Sequence, residues 1–383
     1  MALHFESKEY RARVRKVLKS LHEQKLDGLL MFNQESMYYL TGYDTFGFCF
    51  FQCLYLGADG RMVLLTRLPD LRQAQHTSNL TDIRVWTDEK GAQPATQLKD
   101  MLKSLGAGRK RLGIETNAYG LTHFNGKAVD AALSGFCKLI EASDLVSRVR
   151  MIKSDAELAY IRKAGRLGDA ALKAGIEATR AGADEGDILA AQQAAVFSGG
   201  GDYPGNEFII GSGRDALLCR YKSGRRRLSK RDQLTLEFAG VYRHYHAAFM
   251  RTLIIGEPRK RHLALYDAAR DALVAVEGQM RPGRTAGDVF DAHAEAMDAH
   301  GMKDHRMNAC GYAMGAKFTP SWMDFPMFYH GNDVKLRSGM VFFAHMILMD
   351  SDKGQAMTLG RSYIIGRGKP EPLSKHSLNL IVR

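Results

Sequence analysis

One short stretch of the sequence, residues 232–252, concentrates side chains that can move protons and bind charge. It carries Glu237, His244, His246 and Arg251. A positioned carboxylate and imidazole are typical groups of general acid–base catalysis. The arginine adds a positive charge that is permanent near neutral pH. We therefore take this stretch as the centre of the candidate site.

The same stretch has the alternation of a β-hairpin. Apolar side chains alternate with other residues over 234–239, and we predict the turn at Gly240. Successive side chains of a strand point to opposite faces, so His246 and Arg251 lie on different faces. We predict that His246 shares a pocket with Glu237 and that Arg251 has a structural role.

Composition limits the class of protein. The 383-residue chain is 45% hydrophobic and 25% charged, which is typical of soluble globular proteins and predicts two domains. No apolar run approaches the ~20 residues of a membrane span, and the N-terminus has no apolar signal core. The five cysteines are scattered and odd in number, as in proteins with reduced thiols. We expect a cytoplasmic protein that contacts no membrane.

The formal net charge of +12 raises the question of a nucleic-acid partner. The densest basic run is 225–227, with Lys222, Lys230 and Arg231 nearby, and no nucleic-acid-binding motif accompanies it. We interpret this run as a solvated loop and expect no nucleic-acid partner. Guidance of an anionic small substrate is the alternative.

Helical and strand patterns alternate through the first part of the chain. We predict helices over 6–24 and 97–105 and strands over 28–32, 62–66 and 111–115, which indicates an α/β domain. Ser154 and Glu157 have the spacing of a helix capping box. The predicted domains are therefore residues 1–149 and 150–383.

The second domain contains a weak internal repeat. Residues 180–187 (RAGADEGD) are echoed by residues 281–288 (RPGRTAGD). Each follows an Ala-rich helical pattern and precedes another, at 188–197 and 289–300. We predict a duplicated unit of two helices and a β-hairpin, which forms one curved antiparallel sheet covered by helices.

Several separate blocks resemble the creatinase/aminopeptidase superfamily, whose second domain has the pita-bread fold. The blocks are MIKSDAELAYIRKAG (151–165), the hairpin that ends in Arg251-Thr252, GYAMG (311–315) and RSGMVFF (337–343). The resemblance implies an N-terminal creatinase-like α/β domain followed by a C-terminal pita-bread catalytic domain. It also implies a homodimer in which the first domain caps the site of its own subunit or of the partner.

Metallopeptidases of this fold hold two metal ions with two Asp, one His and two Glu. The matching positions here are Glu237, Ala248, Tyr312, His345 and either Thr358 or Gly360. Because no carboxylate pair is left to bridge two cations, we predict no metal and no cofactor. A single metal held weakly by Glu237 and His345 is an alternative.

The sequence is similar to the branch of this superfamily that has lost the metals, which contains creatinase and ectoine hydrolase. The hairpin looks closest to ectoine hydrolase in a frame made of Glu237, 239–240, 245–247 and 251–252. Pro320 and Trp322 also look like that enzyme. Both enzymes hydrolyse a C–N bond in a small nitrogenous compound. Arg220 stands where the relatives have a substrate-side histidine, which leaves the substrate open.

The resemblance and the strand parity together assign candidate catalytic roles. We predict that His246 serves as base and acid, that Glu237 orients it or contacts a cationic substrate, and that Tyr312 donates to a carbonyl or oxyanion. His345 lies on the wall that supplies a metal ligand in the relatives. The alternatives are a histidine bonded within the sheet, a glutamate paired with an arginine, and a tyrosine that only packs.

Other residues are candidates for substrate binding. The Arg220 guanidinium matches a carboxylate in geometry and charge, although it equally fits a solvated loop. Trp322, Tyr43, Phe46 and Phe48 have the ring types that cage a delocalised cation, although aromatic residues also build cores.

The combined interpretation is a metal-independent hydrolase of a non-peptide C–N bond in a small zwitterionic or cyclic nitrogen compound. Two other classes stay open. One is a metallopeptidase for Xaa-Pro substrates, and the other is an inactive pita-bread module that binds a macromolecule.

Overall fold

The computed structural model describes residues 3–220 and 226–383. Lys222 and Arg225 of the predicted basic run lie outside the described residues. The chain forms two compact units, Met1–Arg150 and Met151–Arg383, and the division falls one residue from the predicted boundary. Within the described part of the chain, no helix is both long enough and apolar enough to span a membrane.

The N-terminal unit is a mixed sheet with helices on both faces. Its strand order is β4-β3-β2-β1-β5-β6, in which β1 pairs with β5 in parallel and with β2 antiparallel. The elements are α1 (Ser7–Glu23), β1 (Gly28–Met31), α2 (Gln34–Thr41), β2 (Cys53–Gly57), β3 (Met62–Arg67), α3 (Leu71–Thr77), β4 (Ile83–Trp86), α4 (Pro94–Ser104), β5 (Arg111–Ile114), α5 (His123–Leu133), β6 (Lys138–Glu141) and α6 (Ser143–Arg150). Apolar clusters lie on either side of this sheet, and the predicted α/β class is confirmed.

The C-terminal unit is one mainly antiparallel sheet with helices. Its strand order is β11-β10-β12-β13-β9-β8-β7. The elements are α7 (Asp155–Ala178), α8 (Glu185–Ser198), β7 (Ile209–Ser212), β8 (Asp232–Tyr242), β9 (Tyr245–Ile255), α9 (Lys260–Gln279), α10 (Ala286–Ala299), β10 (Gly311–Ala313), β11 (Asp324–Phe328), β12 (Val341–Asp350), β13 (Gln355–Ile364), β14 (Glu371–Pro372) and β15 (Ile381–Val382). The predicted capping box begins α7, where Ser154 and Glu157 exchange hydrogen bonds of 3.3 and 2.9 Å.

The two halves of this unit repeat one arrangement, in agreement with the predicted duplication. Helices α7 and α8 precede β7, β8 and β9, and α9 and α10 precede β10, β12 and β13. The loops between the paired helices also match. Gly182 N donates to Leu228 O at 2.7 Å, and Gly283 N donates to Leu336 O at 3.0 Å. The halves join where β9 pairs with β13.

The central hairpin forms, but its turn is not at Gly240. The turn residues are Arg243 and His244, whose φ angles are +53° and +63°, as a two-residue hairpin turn requires. Gly240 lies within β8, and a Cβ added there would sit 1.9 Å from Ala164 O of α7. The glycine thus allows a helix to approach the sheet, which explains the wrong prediction.

Helices cover one face of the sheet and leave the other face to the site. Helix α7 packs on β8 and β9, and α9 packs on β12 and β13. Phe249 belongs to the helix-covered face, because a Cβ at Gly168 of α7 would lie 2.0 Å from its ring. Glu237 and Met250 alternate with the residues of that face and therefore lie on the opposite one.

Candidate active site

Glu237 and His345 end one row of residues across four neighbouring strands. Glu237 of β8 pairs with Met250 of β9, Met250 pairs with Gly360 of β13, and Gly360 pairs with His345 of β12. Paired residues present their side chains on the same face of a sheet. A carboxyl group and an imidazole therefore flank a floor made of Met250 and Gly360.

Tyr312 connects this row to a buried indole. Its hydroxyl donates to Glu237 Oε1 at 3.4 Å and accepts from Trp322 Nε1 at 2.8 Å. An indole N–H can only donate, so the tyrosine oxygen is the acceptor and its own proton stays available for Glu237. Trp322 is 1% exposed and orients Tyr312. That position does not support its predicted role as a face for a cationic substrate.

Burial determines the protonation behaviour of Glu237. Removal from water raises the pKa of Glu237 to about 7, although the Arg220 charge and the Tyr312 hydrogen bond both act to lower it. Burial and the neighbouring Glu237 also raise the pKa of Tyr312 well above its ordinary value. Near neutral pH, Glu237 can therefore both take and return a proton, whereas Tyr312 keeps its proton.

Arg220 and His345 complete the group. Arg220 is exposed, and its positive charge acts on Glu237, Tyr312 and His345, so the structure brings the predicted anchor to the predicted pocket. Burial lowers the pKa of His345 to about 4, and the charge of Arg220 acts in the same direction. His345 Nδ1 is buried and finds no hydrogen-bond partner among the described residues.

His246 is on the predicted face but not in the predicted contact. It pairs with Val241 and lies four residues from Met250, about 13 Å along the strand at 3.3 Å per residue. Its Nε2 accepts the backbone N–H of Gly205 at 2.8 Å, and burial lowers its pKa to about 3. The lone pair that a base needs is therefore engaged in this hydrogen bond, and the structure does not support the predicted role of His246 as the catalytic base.

Three of the predicted aromatic contacts, Tyr43, Phe46 and Phe48, belong to the N-terminal unit, and Phe48 is buried there. Tyr43 is 0% exposed and packs in an apolar cluster of that unit, with its hydroxyl 3.3 Å from Thr66 Oγ1. It is a core residue there and presents no ring face to a ligand, which corrects the sequence prediction. Phe46 is 74% exposed, and its contact with a substrate stays a prediction.

Sequence reasoning missed Cys219 and misread Arg226. Burial, followed by the nearby Glu237, raises the pKa of the Cys219 thiol, so this half-buried cysteine lies near the site. In the sequence only its position beside Arg220 marks it. Arg226 donates to Ser212 and to Asp232, and its backbone N–H donates to Glu185 at 3.0 Å. For Arg226 the prediction of a solvated loop is wrong.

The fold and this pocket define a two-domain hydrolase of the pita-bread class. The chain belongs to metallopeptidase family M24, which it matches over residues 159–366, and residues 13–152 match the creatinase/prolidase N-terminal domain. The superfamily predicted from the sequence is confirmed.

Individual relatives match over the whole chain. An uncharacterized hydrolase/peptidase of Sinorhizobium fredii is 28% identical, and the ectoine hydrolase of Halomonas elongata is 26% identical. Each alignment covers 100% of this chain and 99% of the relative. Among solved structures, the Xaa-Pro dipeptidase of Bacillus anthracis has a TM-score of 0.85 at 19% identity, with coverage of 98% of this chain and 100% of that one. The last match concerns the fold alone.

The family name implies metal ions, and the side chains of this site do not fit a pair of them. Two hard cations require several carboxylates, including bridging ones. The row offers one carboxyl group, Glu237, and one imidazole, His345, separated by Met250 and Gly360. A Cβ at Gly360 would lie 3.0 Å from the Phe343 ring, so a longer side chain there would displace that ring. Across residues 3–220 and 226–383, no three His, Cys, Asp or Glu side chains cluster closely enough to bind a metal.

Proposed function

We propose that the chain is a metal-independent hydrolase of a non-peptide C–N bond in a small cyclic or zwitterionic compound that carries a carboxylate. The observation that carries the proposal is the set of side chains at the site. One carboxyl group with a pKa near 7 occupies a pocket in which a dinuclear metal site would need several carboxylates. The full-length similarity to an ectoine hydrolase supports the same class of reaction.

Glu237 is the acid–base group of the proposed reaction. In its ionised form it accepts a proton from water while the water oxygen bonds to the carbon of the C–N bond. The protonated carboxyl group then returns that proton to the departing nitrogen as the C–N bond breaks. A pKa near the working pH suits both steps, because the proton is neither held too tightly nor released too early.

The other side chains bind and orient the substrate. Tyr312, held by Trp322, directs its proton toward the carboxyl oxygen. His345 is neutral near pH 7, and its unpaired Nδ1 can hydrogen-bond to a polar atom of the substrate. Arg220 provides a charge for a substrate carboxylate, and Met250 and Gly360 leave the floor apolar.

A substrate screen tests the proposal directly. The purified chain is incubated with ectoine and other cyclic amidines, ureido acids, small amides and Xaa-Pro dipeptides, each with and without a chelator. We expect turnover of a compound from the first three groups at the same rate in both conditions. Hydrolysis of Xaa-Pro dipeptides that the chelator abolishes would overturn the proposal and establish the alternative of a metallopeptidase, which the similarity to a Xaa-Pro dipeptidase of Pyrococcus furiosus favours.

The carboxylate on the substrate has its own test in Arg220→Ala. Loss of a hydrogen bond to a charged group costs about 1.5–3 kcal/mol, which is about ten- to a hundredfold in affinity. We expect KM to rise by that factor for the carboxylate-bearing substrate and to stay unchanged for its uncharged amide. An equal effect on both compounds would contradict an anchor for the carboxylate.

A further inference from the structure

Glu237 and His345 belong to different halves of the duplicated sheet, so their separation depends on how the halves are joined. Within each half the hairpin strands pair along their whole length. An isolated bridge joins Tyr245 of the first half to Ala316 of the second. The ladder between the halves is short, since residues 249–251 of β9 pair with residues 359–361 of β13. We call this short junction the seam, and its middle pair, Met250 and Gly360, is the floor of the site.

Side chains extend the seam on the face that carries the site. The Ser362 hydroxyl accepts from Ala248 N at 2.9 Å and donates to Ala248 O at 3.0 Å. On the other side of the floor, Thr358 N donates to Thr252 Oγ1 at 2.9 Å, and the two threonine hydroxyls lie 3.1 Å apart. Hydroxyl groups therefore supply the hydrogen bonds between the strands just beyond both ends of the short ladder.

Arg251 holds the seam from the opposite face. Its Nη1 donates to Met250 O at 2.9 Å and to Gly360 O at 2.6 Å, so one guanidinium nitrogen contacts the backbone of both floor residues. The side chain is 1% exposed. A buried cation on two carbonyl groups makes charge-assisted hydrogen bonds, which are stronger than neutral ones.

We propose that Ser362, Thr252 and Arg251 are positioning residues that fix the separation of Glu237 and His345 by holding the two halves together at the floor of the site. The meaning of that separation for catalysis rests on the proposed function. The holding of the seam itself does not. Ser362 and Thr252 lie on either side of the floor pair along the strands, and Arg251 lies on the opposite face of the sheet. None of the three makes a hydrogen bond to Glu237 or His345 in the described part of the chain.

Ser362→Ala is the main test, because it removes a hydroxyl group without changing charge and almost without changing volume. Hydrogen exchange is measured on peptides that cover 248–252 and 358–362, and kcat and KM are measured on the substrate found in the screen. We expect exchange at the amides of both segments to rise by about tenfold or more. We expect kcat to fall by about ten- to a hundredfold with KM nearly unchanged, since a shift of about 1 Å costs that much in rate.

Thr179→Val is the matched control, since it removes a buried hydroxyl that donates to Gly175 O at the end of α7, outside the strands of the seam. Arg251→Met tests the contacts on the face opposite the site. If that variant does not fold, the test depends on Ser362→Ala alone. The proposal is overturned if Ser362→Ala exchanges and turns over like Thr179→Val. Faster exchange confined to the seam supports it even if the parent hydrolyses none of the screened compounds, a result that would overturn only the proposed function.

Discussion

Two buried glutamates, one in each unit, differ in how fully their carboxyl oxygens are hydrogen-bonded. Glu115, at the end of β5, accepts two backbone N–H groups at 3.0 and 2.8 Å and the Ser36 hydroxyl at 2.6 Å. Glu237 accepts the Tyr312 hydroxyl at 3.4 Å and no other donor from the described residues. Both are nearly inaccessible to solvent, with 0% and 8% exposure.

Burial raises the pKa of both groups to about 7, so the raised pKa does not tell a structural carboxyl group from a catalytic one. The number of accepted hydrogen bonds does differ between the two groups. A carboxylate has about four acceptor positions, and Glu115 fills three of them with its own chain. Among the described residues, only Tyr312 donates to Glu237, and in our proposal the remaining positions serve the substrate and water.

The largest effect that separates the two is on turnover. Glu237→Gln removes the group that accepts the proton, and we expect kcat to fall by about 10²–10⁴-fold. Glu115→Gln makes the same chemical change in the other unit and should keep kcat within about twofold. Turnover of both variants on one substrate, at saturating concentration and pH 8, provides the measurement.

A stability measurement should show that Glu237→Gln loses activity because it cannot transfer the proton, and not because it unfolds. The folded-state pKa of Glu237 lies above its ordinary value of 4.5. The stability that comes from its protonated form is therefore complete below pH 4.5 and is lost as the pH rises through about 7. A neutral glutamine keeps the uncharged state at all pH values, so the variant should be at least as stable as the parent at pH 8. Unfolding of Glu237→Gln at a lower denaturant concentration would contradict this interpretation.

The second effect is on stability, and here we expect the change at Glu115 to cost more than the change at Glu237. Glu115→Ala leaves the N–H groups of Phe32 and Asn33 buried without an acceptor, at a cost of about 1–3 kcal/mol each. Among the described residues, Glu237→Ala deprives only the Tyr312 hydroxyl of its acceptor, and that hydroxyl still accepts from Trp322 Nε1. We expect urea unfolding of the N-terminal unit to shift to lower concentration in Glu115→Ala, and the Glu237→Ala profile to match the parent. An equal loss of stability in both variants would contradict the difference that we infer between Glu115 and Glu237.

The sequence was sufficient where a structure depends on local patterns. The period of α1, the capping box at Ser154 and the alternation of the hairpin all recur in the structure, because each follows from neighbouring residues. The position of Gly240 shows the limit. A glycine normally signals a turn, but here it serves a long-range contact with α7, which no local pattern reveals.

From the sequence, the site was predictable only as far as the sheet face on which a side chain lies and the sequence blocks that resemble the superfamily. Strand parity placed His246 on the correct face, but its distance from Glu237 and its bond to Gly205 depend on a loop far away in sequence. Aromatic residues gave the weakest signal. Tyr43, Trp322 and Phe46 were all chosen for their aromatic rings. In the structure Tyr43 is a core residue, and Trp322 orients the Tyr312 hydroxyl.

The smallest predicted effect tests the hydrogen bond that Glu237 accepts from Tyr312. The Tyr312 hydroxyl lowers the pKa of Glu237, so Tyr312→Phe should raise it. A base works in its ionised form, and the rising limb of kcat/KM against pH should therefore move to higher pH. Such a bond contributes about 0.5–1.5 kcal/mol, and one pKa unit corresponds to about 1.36 kcal/mol, so the limb should move by about 0.4–1 pH unit.

Tyr363→Phe is the matched control for that pH profile, because its hydroxyl contacts Glu277 on the helix-covered face and should leave the limb in place. Ser36→Ala makes the corresponding change at Glu115 and should raise the pKa of that carboxyl group without any change in the pH profile. Movement of the limb in Ser36→Ala would mean that the titration seen in catalysis includes the N-terminal carboxyl group. Movement to lower pH in Tyr312→Phe would show that Tyr312 stabilises the protonated form of Glu237, and the direction of the hydrogen bond derived from the indole of Trp322 would then be wrong.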